Sequence, residues 1–432
     1  MQANHMRTRI PLLLSAACIA TSQWDAVKLN SYITLSDTFL ILALVTIIIG
    51  AGGRIRPHLP VALWIGLLIA FLSVAITQIF PPTLDYIQSR HSPLNVYNLV
   101  TTVVVHDSTS ANVIKFILAY VGIPVLIAVA GKTHKSLVRL LDGWVIGAAL
   151  TALVGLSDAS HLTHISFSIL GFGFSNRIAG LNTSPNTLAE VAAMALPACI
   201  IWSRQSEGRR RIAPFLFVGM GVALLLTGSR GGFGGALIGL IVCAVYDNSL
   251  RRKVPVAASV VATMLVIVVV FIPSVTNSVL ATLRLNSNNT GAATSDLVRQ
   301  QVAAQATTDF AHSPIHGVGL FAIQEGHQVE LELLAAGGII LLIGWLFYVY
   351  GAIEMLPRIK RDSQYRSWTP LAGSIVAWLA LGLTENETLP RYLLVPIGFA
   401  CAAGYLCRKR RSAISMPGNS SSQQLALARR DE

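Results

Sequence analysis

Charge is scarce in this chain. Asp, Glu, Lys and Arg make up 12% of its 432 residues, about half the share typical of a soluble globular domain. Cysteine is scarce too. The five present, Cys18, Cys199, Cys243, Cys401 and Cys407, all lie in or beside apolar stretches with no CxxC spacing. That excludes a disulfide framework and a thiolate metal site, and leaves small packed hydrophobes. HExxH and paired carboxylates at ligand spacing are also missing, so no metal is expected. The net charge of +12 could suit nucleic acid, but the bases sit in short clusters between apolar blocks, as in proteins oriented across a membrane. No nucleic-acid partner is expected.

What fills the chain is hydrocarbon, at 53% hydrophobic residues. It falls in blocks at about 11–22, 34–51, 59–80, 112–130, 137–156, 186–203, 212–228, 232–247, 254–273, 328–350, 368–384 and 391–407. Blocks of this size cross about 30 Å of bilayer as helices, which satisfy their own backbone hydrogen bonds in lipid. The fold class expected is an all-α polytopic membrane protein of about 12 transmembrane helices, with membrane lipids as its surroundings. The first block follows Arg7 and Arg9 and would equally suit a signal peptide. In either case the next segment begins outside.

Orientation follows from the bases. With the N-terminus cytoplasmic, 24 of the 32 Lys and Arg residues fall in inside segments, the bias the positive-inside rule requires. The other eight are Lys28, Arg90, Lys115, Arg177, Arg230, Arg284, Arg299 and Arg391. Both termini are then cytoplasmic. The transmembrane domain covers 1–411, and the polar, aromatic-poor stretch 412–432 is expected to be a disordered cytoplasmic tail. Three outside segments exceed turns, at about 81–111, 157–185 and 274–327. The last, between helices 9 and 10, carries an amphipathic pattern over Thr294–Phe310 and is expected to be folded.

Since bases are depleted outside, those that remain there carry information. Arg177 precedes a helix start at Ser184-Pro185. Arg230 sits in TGSRGGFGG with almost no loop around it. A guanidinium so near hydrocarbon is costly unless solvated or paired. One reading is an ordinary solvated or snorkelling arginine. The other is a fork of donors for an anionic ligand, aided by a helix N-terminus. The glycines after Arg230 suit either close ligand approach or helix packing. At the far end of the large loop, His327 stands at the edge of an apolar span, with Glu325, Glu330 and Glu332 nearby. It fits a helix cap, or a general base oriented by a carboxylate, Glu330 being the better helical neighbour. His312 and His316 in the same loop dilute that signal.

Taken together, Arg177-x3-Leu181 before Asn186, then Thr227-Gly-Ser-Arg230-Gly, then Gly317-x-Gly319 and His327-Gln328-x9-Gly338 resemble the O-antigen ligase and polymerase superfamily. Leu341 departs from the pattern, where the family often has a further glycine. The resemblance implies a membrane-embedded, GT-C-like glycosyltransferase in the bacterial inner membrane, with its active site at the periplasmic face and no cofactor. It would transfer O-antigen from undecaprenyl diphosphate to a sugar hydroxyl of lipid A core, inverting the anomeric centre. By the same resemblance His327 is the base and Arg177 and Arg230 hold the pyrophosphate; Arg284, Arg391 and Glu330 are weaker candidates. An O-antigen polymerase or a protein O-oligosaccharyltransferase would share the donor, and the HQ-x9-G stretch looks more like the ligase. A secondary transporter is the reading from another class.

Overall fold

The structure, a computed structural model, describes residues 2–29, 33–50, 57–90, 102–170, 177–251, 290–323, 328–384 and 389–414. Among these the only β feature is an isolated bridge between Lys28 and Thr34. Helices carry the rest: α1 Gln2–Thr21, α2 Leu35–Gly50, α3 Val61–Ile79, α4 Leu84–Ser89, α5 Thr102–Phe116, α6 Ile123–Ala130, α7 His134–Ala159, α8 Ile165–Leu170, α9 Pro185–Ser203, α10 Glu207–Leu226, α11 Arg230–Tyr246, α12 Asn248–Arg251, α13 Thr290–His312, α14 Val329–Ile353, α15 Leu356–Arg361, α16 Leu371–Gly382 and α17 Val395–Ile414. A π-helical stretch, Ile117–Gly122, joins α5 to α6. The expected spans fall on these helices, that at 112–130 across α5, the π-helical stretch and α6 and that at 391–407 on a 3-10 turn and α17; 254–273 lies outside the described residues. By length and composition, five segments could cross a membrane, and α2, α11 and the apolar part of α1 are shorter apolar helices. The chain is a multi-pass membrane protein whose regular structure, among the described residues, is helical.

Apolar side chains gain little by leaving lipid for protein, so helices in a bilayer associate through close backbone approach at small residues. The pairs here follow that rule. A Cβ on Gly66 of α3 would lie 2.5 Å from the Gly344 carbonyl of α14, and one on Gly351 2.7 Å from the Leu63 nitrogen. Gly147 of α7 lies as closely against Ala20 of α1, and Gly239 of α11 against the Gly373 carbonyl of α16. Between them the buried rings of Trp144, Phe399 and Trp368 stack at 5.3 and 5.9 Å.

Ion pairs and hydrogen bonds tie the connecting segments together at the two ends of the bundle. At one end, segments expected inside pair with one another. Arg204 is bonded to Asp247, which also accepts from Thr369; Arg209 binds Asp142 at 2.9 Å; Arg410 meets Asp362 at 3.2 Å. Burial raises the Asp247 carboxyl, but hydrogen bonds from Arg204, Ser249 and Thr369 outweigh it and hold the group down at about 2. At the other end, Asp25 receives Thr183 N–H at 2.8 Å, and Arg391 pairs with Asp37. Here too α13 docks, its Asp309 gripped by Arg90 through two bonds of 3.0 and 2.6 Å. Tyr86 and Gln305 donate to the same carboxylate, at 2.8 and 2.9 Å. The segment expected to be helical over Thr294–Phe310 lies within α13.

One helix is not continuous. Gly338 in α14 has φ +64° and ψ −162°, dividing it into two halves. A break frees backbone groups that lipid cannot satisfy, and irregular backbone at that depth survives only against protein or water. The loop before the helix supplies the partners. Val318 and Gly319 donate their N–H groups to the carbonyls of Ala335 and Ala336, at 2.8 and 2.9 Å. Pro314 and Ile315 accept from the N–H groups of Ile339 and Ile340, at 2.9 and 3.3 Å. Ser73 of α3 donates to the Gly337 carbonyl at 2.7 Å. The approach is so close that a Cβ on Gly338 would overlap the Ile315 carbonyl, and one on Gly317 the Ala336–Gly337 peptide. Gly338→Ala therefore meets both an overlap and a left-handed backbone, the latter alone costing about 1–3 kcal/mol. It should lower the thermal midpoint of the detergent-purified protein by several degrees. Gly234→Ala, whose new methyl meets nothing within 4 Å, should leave the midpoint unchanged.

Candidate functional site

Arg177 lies in a loop pinned from several sides. The Ala26 N–H donates to the Leu181 carbonyl at 3.2 Å, the Thr151 hydroxyl accepts from Leu181 N–H at 2.9 Å, and Ser166 donates to the Gly180 carbonyl at 2.8 Å. Asp25 holds Thr183 from the next turn of chain; burial pushes its carboxyl up, and the Thr183 hydrogen bonds and Lys28 only partly offset that. From this base the guanidinium reaches two different elements. Its Nε donates to the Thr227 carbonyl at 2.5 Å, and its Nη2 to the Asn186 Oδ1 at 2.7 Å. Asn186 is in the first turn of α9, whose N-cap Ser184 accepts from Thr187 N–H. One turn further along α9, buried Glu190 accepts from the hydroxyl of buried Tyr392 at 2.8 Å.

Thr227 begins the turn that launches α11. Ser229 caps that helix by accepting the Gly232 N–H at 3.1 Å, and Arg230 is its exposed first residue. Arg177 thus holds, by backbone, the turn from which Arg230 projects, across 53 positions of sequence. The glycines after Arg230 mainly pack. Gly232 sits against Ala189 of α9, and Gly235 lies with its missing Cβ 2.9 Å from Leu381 of α16. The same end of α16 reaches the histidine segment: a Cβ on Gly382 would stand 3.2 Å from Val329, the first residue of α14.

His327 and Arg284 lie outside the described residues, as does Glu325. The described chain on either side of His327 is anchored. Upstream, Asn112 of α5 donates to the Leu320 carbonyl at 2.9 Å; downstream, Val329 packs on Gly382. Glu330 is half-buried in the first turn of α14, and Glu332 is fully buried. Arg391 is given to Asp37 in a buried pair, with side-chain exposures of 11% and 3%. The other loop histidines have local packing duties. His312 stacks on Tyr86 at 3.6 Å, and His316 bonds within its own turn to Ser313 and the Gly317 carbonyl. Sequence reasoning singled out neither Asn186 as the partner of Arg177 nor Glu190–Tyr392 beneath them. The usable signal was the Ser184-Pro185 cap, which fixes Asn186 and Glu190 four residues apart on one face of α9.

Residues 215–346 match the family model described as O-Antigen ligase. This supports membership of the O-antigen ligase/polymerase superfamily. The O-antigen ligase match takes in the Thr227–Arg230 turn, α11, α13 and the break at Gly338, and leaves Arg177 and Arg391 outside it. Among curated proteins there is no match. A solved chain from "Structural coordination of polymerization and crosslinking by a peptidoglycan synthase complex" is similar over 82% of this chain and 98% of its own, at 14% identity and a TM-score of 0.40. A likeness that loose carries no argument.

Two acceptors on two elements need a planar fork, and a lysine ammonium is a single point of donation. Arg177→Lys should therefore lower thermal stability nearly as much as Arg177→Ala. A hydrogen bond to a charged group contributes about 1.5–3 kcal/mol. Asn186→Ala, which spares the Thr227 bond, should cost less. Thermal unfolding of the three variants in one detergent checks the order.

Proposed function

We propose that this enzyme of the O-antigen ligase/polymerase group is the ligase: an inverting glycosyltransferase that moves O-antigen from undecaprenyl diphosphate to a sugar hydroxyl of lipid A core, at the periplasmic face of the inner membrane. The observation that carries the reading is the grip of Arg177 on the Thr227 carbonyl, which unites two arginine motifs into one basic corner. A departing lipid pyrophosphate develops charge that arginines can stabilise by directed donors. Arg177 is partly committed to protein acceptors, so its role is to present and orient the corner as much as to touch phosphate. Arg230, at the exposed start of α11, is the better placed to bind donor oxygens.

His327 acts as general base, taking the acceptor hydroxyl's proton as the oxygen attacks the anomeric carbon and the bond to pyrophosphate breaks. An imidazole is the side chain whose unperturbed titration range suits that task near neutral pH. The anchoring of the described chain on both sides of it, Leu320 by Asn112 and Val329 against Gly382 of α16, supports this reading. Glu330 is the neighbouring carboxylate for orientation; Arg284 remains a candidate for further phosphate contacts. Arg391 is a poorer one, since Asp37 already neutralises it.

The transporter alternative expects a broken helix whose freed groups await an ion. α14 is broken, but Pro314–Gly319 and Ser73 take up groups on both sides of the break. Asp142, near the start of α7, is held by Arg209 and Trp202. Those facts favour the enzyme. His327→Ala should insert normally and leave lipopolysaccharide uncapped in a complementation assay; normal capping would remove His327 from the mechanism. A deletion strain should show core without polymer on a gel. Core bearing one repeat would instead indicate a polymerase, and unaltered lipopolysaccharide a protein-glycosylating enzyme. Arg230→Ala should weaken binding of the lipid diphosphate donor in nanodiscs, about tenfold for the loss of one charged contact.

A further inference from the structure

A cavity of about 650 Å³ opens at the end of the bundle remote from Arg177 and Arg230, between the start of α3, the junction of α14 with α15, and α17. Its size falls in the range that holds a small organic ligand. Leu59, Met355 and Tyr405 give it an apolar side, and His58, Arg358, Arg408 and Lys409 a basic one. The His58 ring stacks flat on Tyr405, centroids 4.1 Å apart and planes within 9°, which fixes one wall.

The charges in this cavity are handled differently from their neighbours. Arg204, Arg209 and Arg410, at the same end, each hold a carboxylate. Among the described residues no carboxylate lines the cavity, and none pairs with Arg408 or Lys409. Arg358 reaches Glu354 at 3.8 Å with both side chains partly exposed, a distance and exposure at which an ion pair contributes little. The cavity therefore concentrates positive charge beside an apolar surface. It does so where α17 passes from apolar residues into Arg408-Lys409-Arg410-Arg411, the level at which lipid phosphates lie.

We propose that this cavity binds the headgroup of an anionic phospholipid. Arg408 and Lys409 take the phosphodiester oxygens, with Arg358 at the rim. Leu59, Met355 and Tyr405 receive the glycerol and the first acyl carbons. A free phosphate shares the charge but would leave the apolar side empty, so the volume and the mixed lining favour the lipid. The site is separate from the proposed transfer chemistry and does not depend on it.

The test uses the full-length protein in neutral detergent, titrated with dioleoylphosphatidylglycerol or dioleoylphosphatidylcholine and read by native mass spectrometry. Phosphatidylglycerol should bind at least tenfold more tightly than phosphatidylcholine. Arg408→Gln with Lys409→Gln should abolish that preference. So should Ala413→Trp, which fills the cavity without changing charge. Arg210→Gln with Arg211→Gln removes the same two charges from an exposed stretch of α10 and should leave the preference intact. Equal loss in the two double variants would overturn the proposal in favour of general surface charge, as would an unaffected Ala413→Trp. Displacement of the lipid by inorganic phosphate at similar concentration would assign the cavity to a soluble phosphate and overturn the lipid assignment. Size-exclusion profiles establish that each variant is folded; if the charge variant aggregates, Ala413→Trp decides.

Discussion

The interruption of α14 at Gly338 is the constraint on which the rest of this end of the molecule depends. A helix broken in a bilayer exposes carbonyls on one side and N–H groups on the other, each expensive to leave without a partner. Here the partners are the backbone of Pro314–Gly319 and the hydroxyl of Ser73. Satisfying them forces the large loop down onto its own following helix, and forces α3 alongside. The glycines at 317 and 338 then follow from geometry, since backbone meets backbone with no room for a side chain. A motif that on paper is a histidine, a spacer and a glycine becomes, in space, a loop clamped to a divided helix.

Electrostatics does comparable work with very few groups. Asp309 gathers Arg90, Tyr86 and Gln305, and so ties α13 to the α4 segment beside a small apolar cluster of Ala306, Val318 and Tyr86. A buried pair of this kind need not add net stability over an apolar substitute, but with one partner removed the other is left stranded, which costs several kcal/mol. Such pairs specify which elements meet. Arg391 with Asp37 does the same for the α17 entry, and Arg177 does it through the Thr227 carbonyl and the Asn186 side chain.

The hydrophobic blocks were legible in the sequence because a bilayer imposes a length and leaves little latitude in composition. Such blocks depend on local composition alone. Contacts between distant residues were not legible. Nothing near Asp309 marks Arg90 as its partner, and nothing near Asp37 marks Arg391, which counted as a phosphate candidate while its neutralising acid was unseen. Gly338 was noticed as a spaced glycine, but a lone glycine in an apolar run also suits helix packing, as Gly66 and Gly344 demonstrate. Only the carbonyl of Ile315 facing it distinguishes the two uses. His327 stands on sequence grounds together with the anchoring of its described neighbours.

The divided helix also bears on how the chain assembles. Ser73 leaves the ribosome more than 260 residues before Gly337, whose carbonyl it serves. Until the two meet, α14 cannot rest in lipid with its backbone complete, so the order of synthesis leaves an interval in which that helix is a poor membrane segment. The loop Pro314–Gly319 shortens the interval, because it emerges just ahead of α14 and can fold back within about twenty residues, a closure that takes well under a microsecond to a few microseconds for chains of that size. The long-range partner, α3, can then dock onto a segment already half satisfied. The same tight turn that covers the break in the finished fold would thus serve, earlier in the protein's life, as the local cover that lets a broken helix enter the membrane at all.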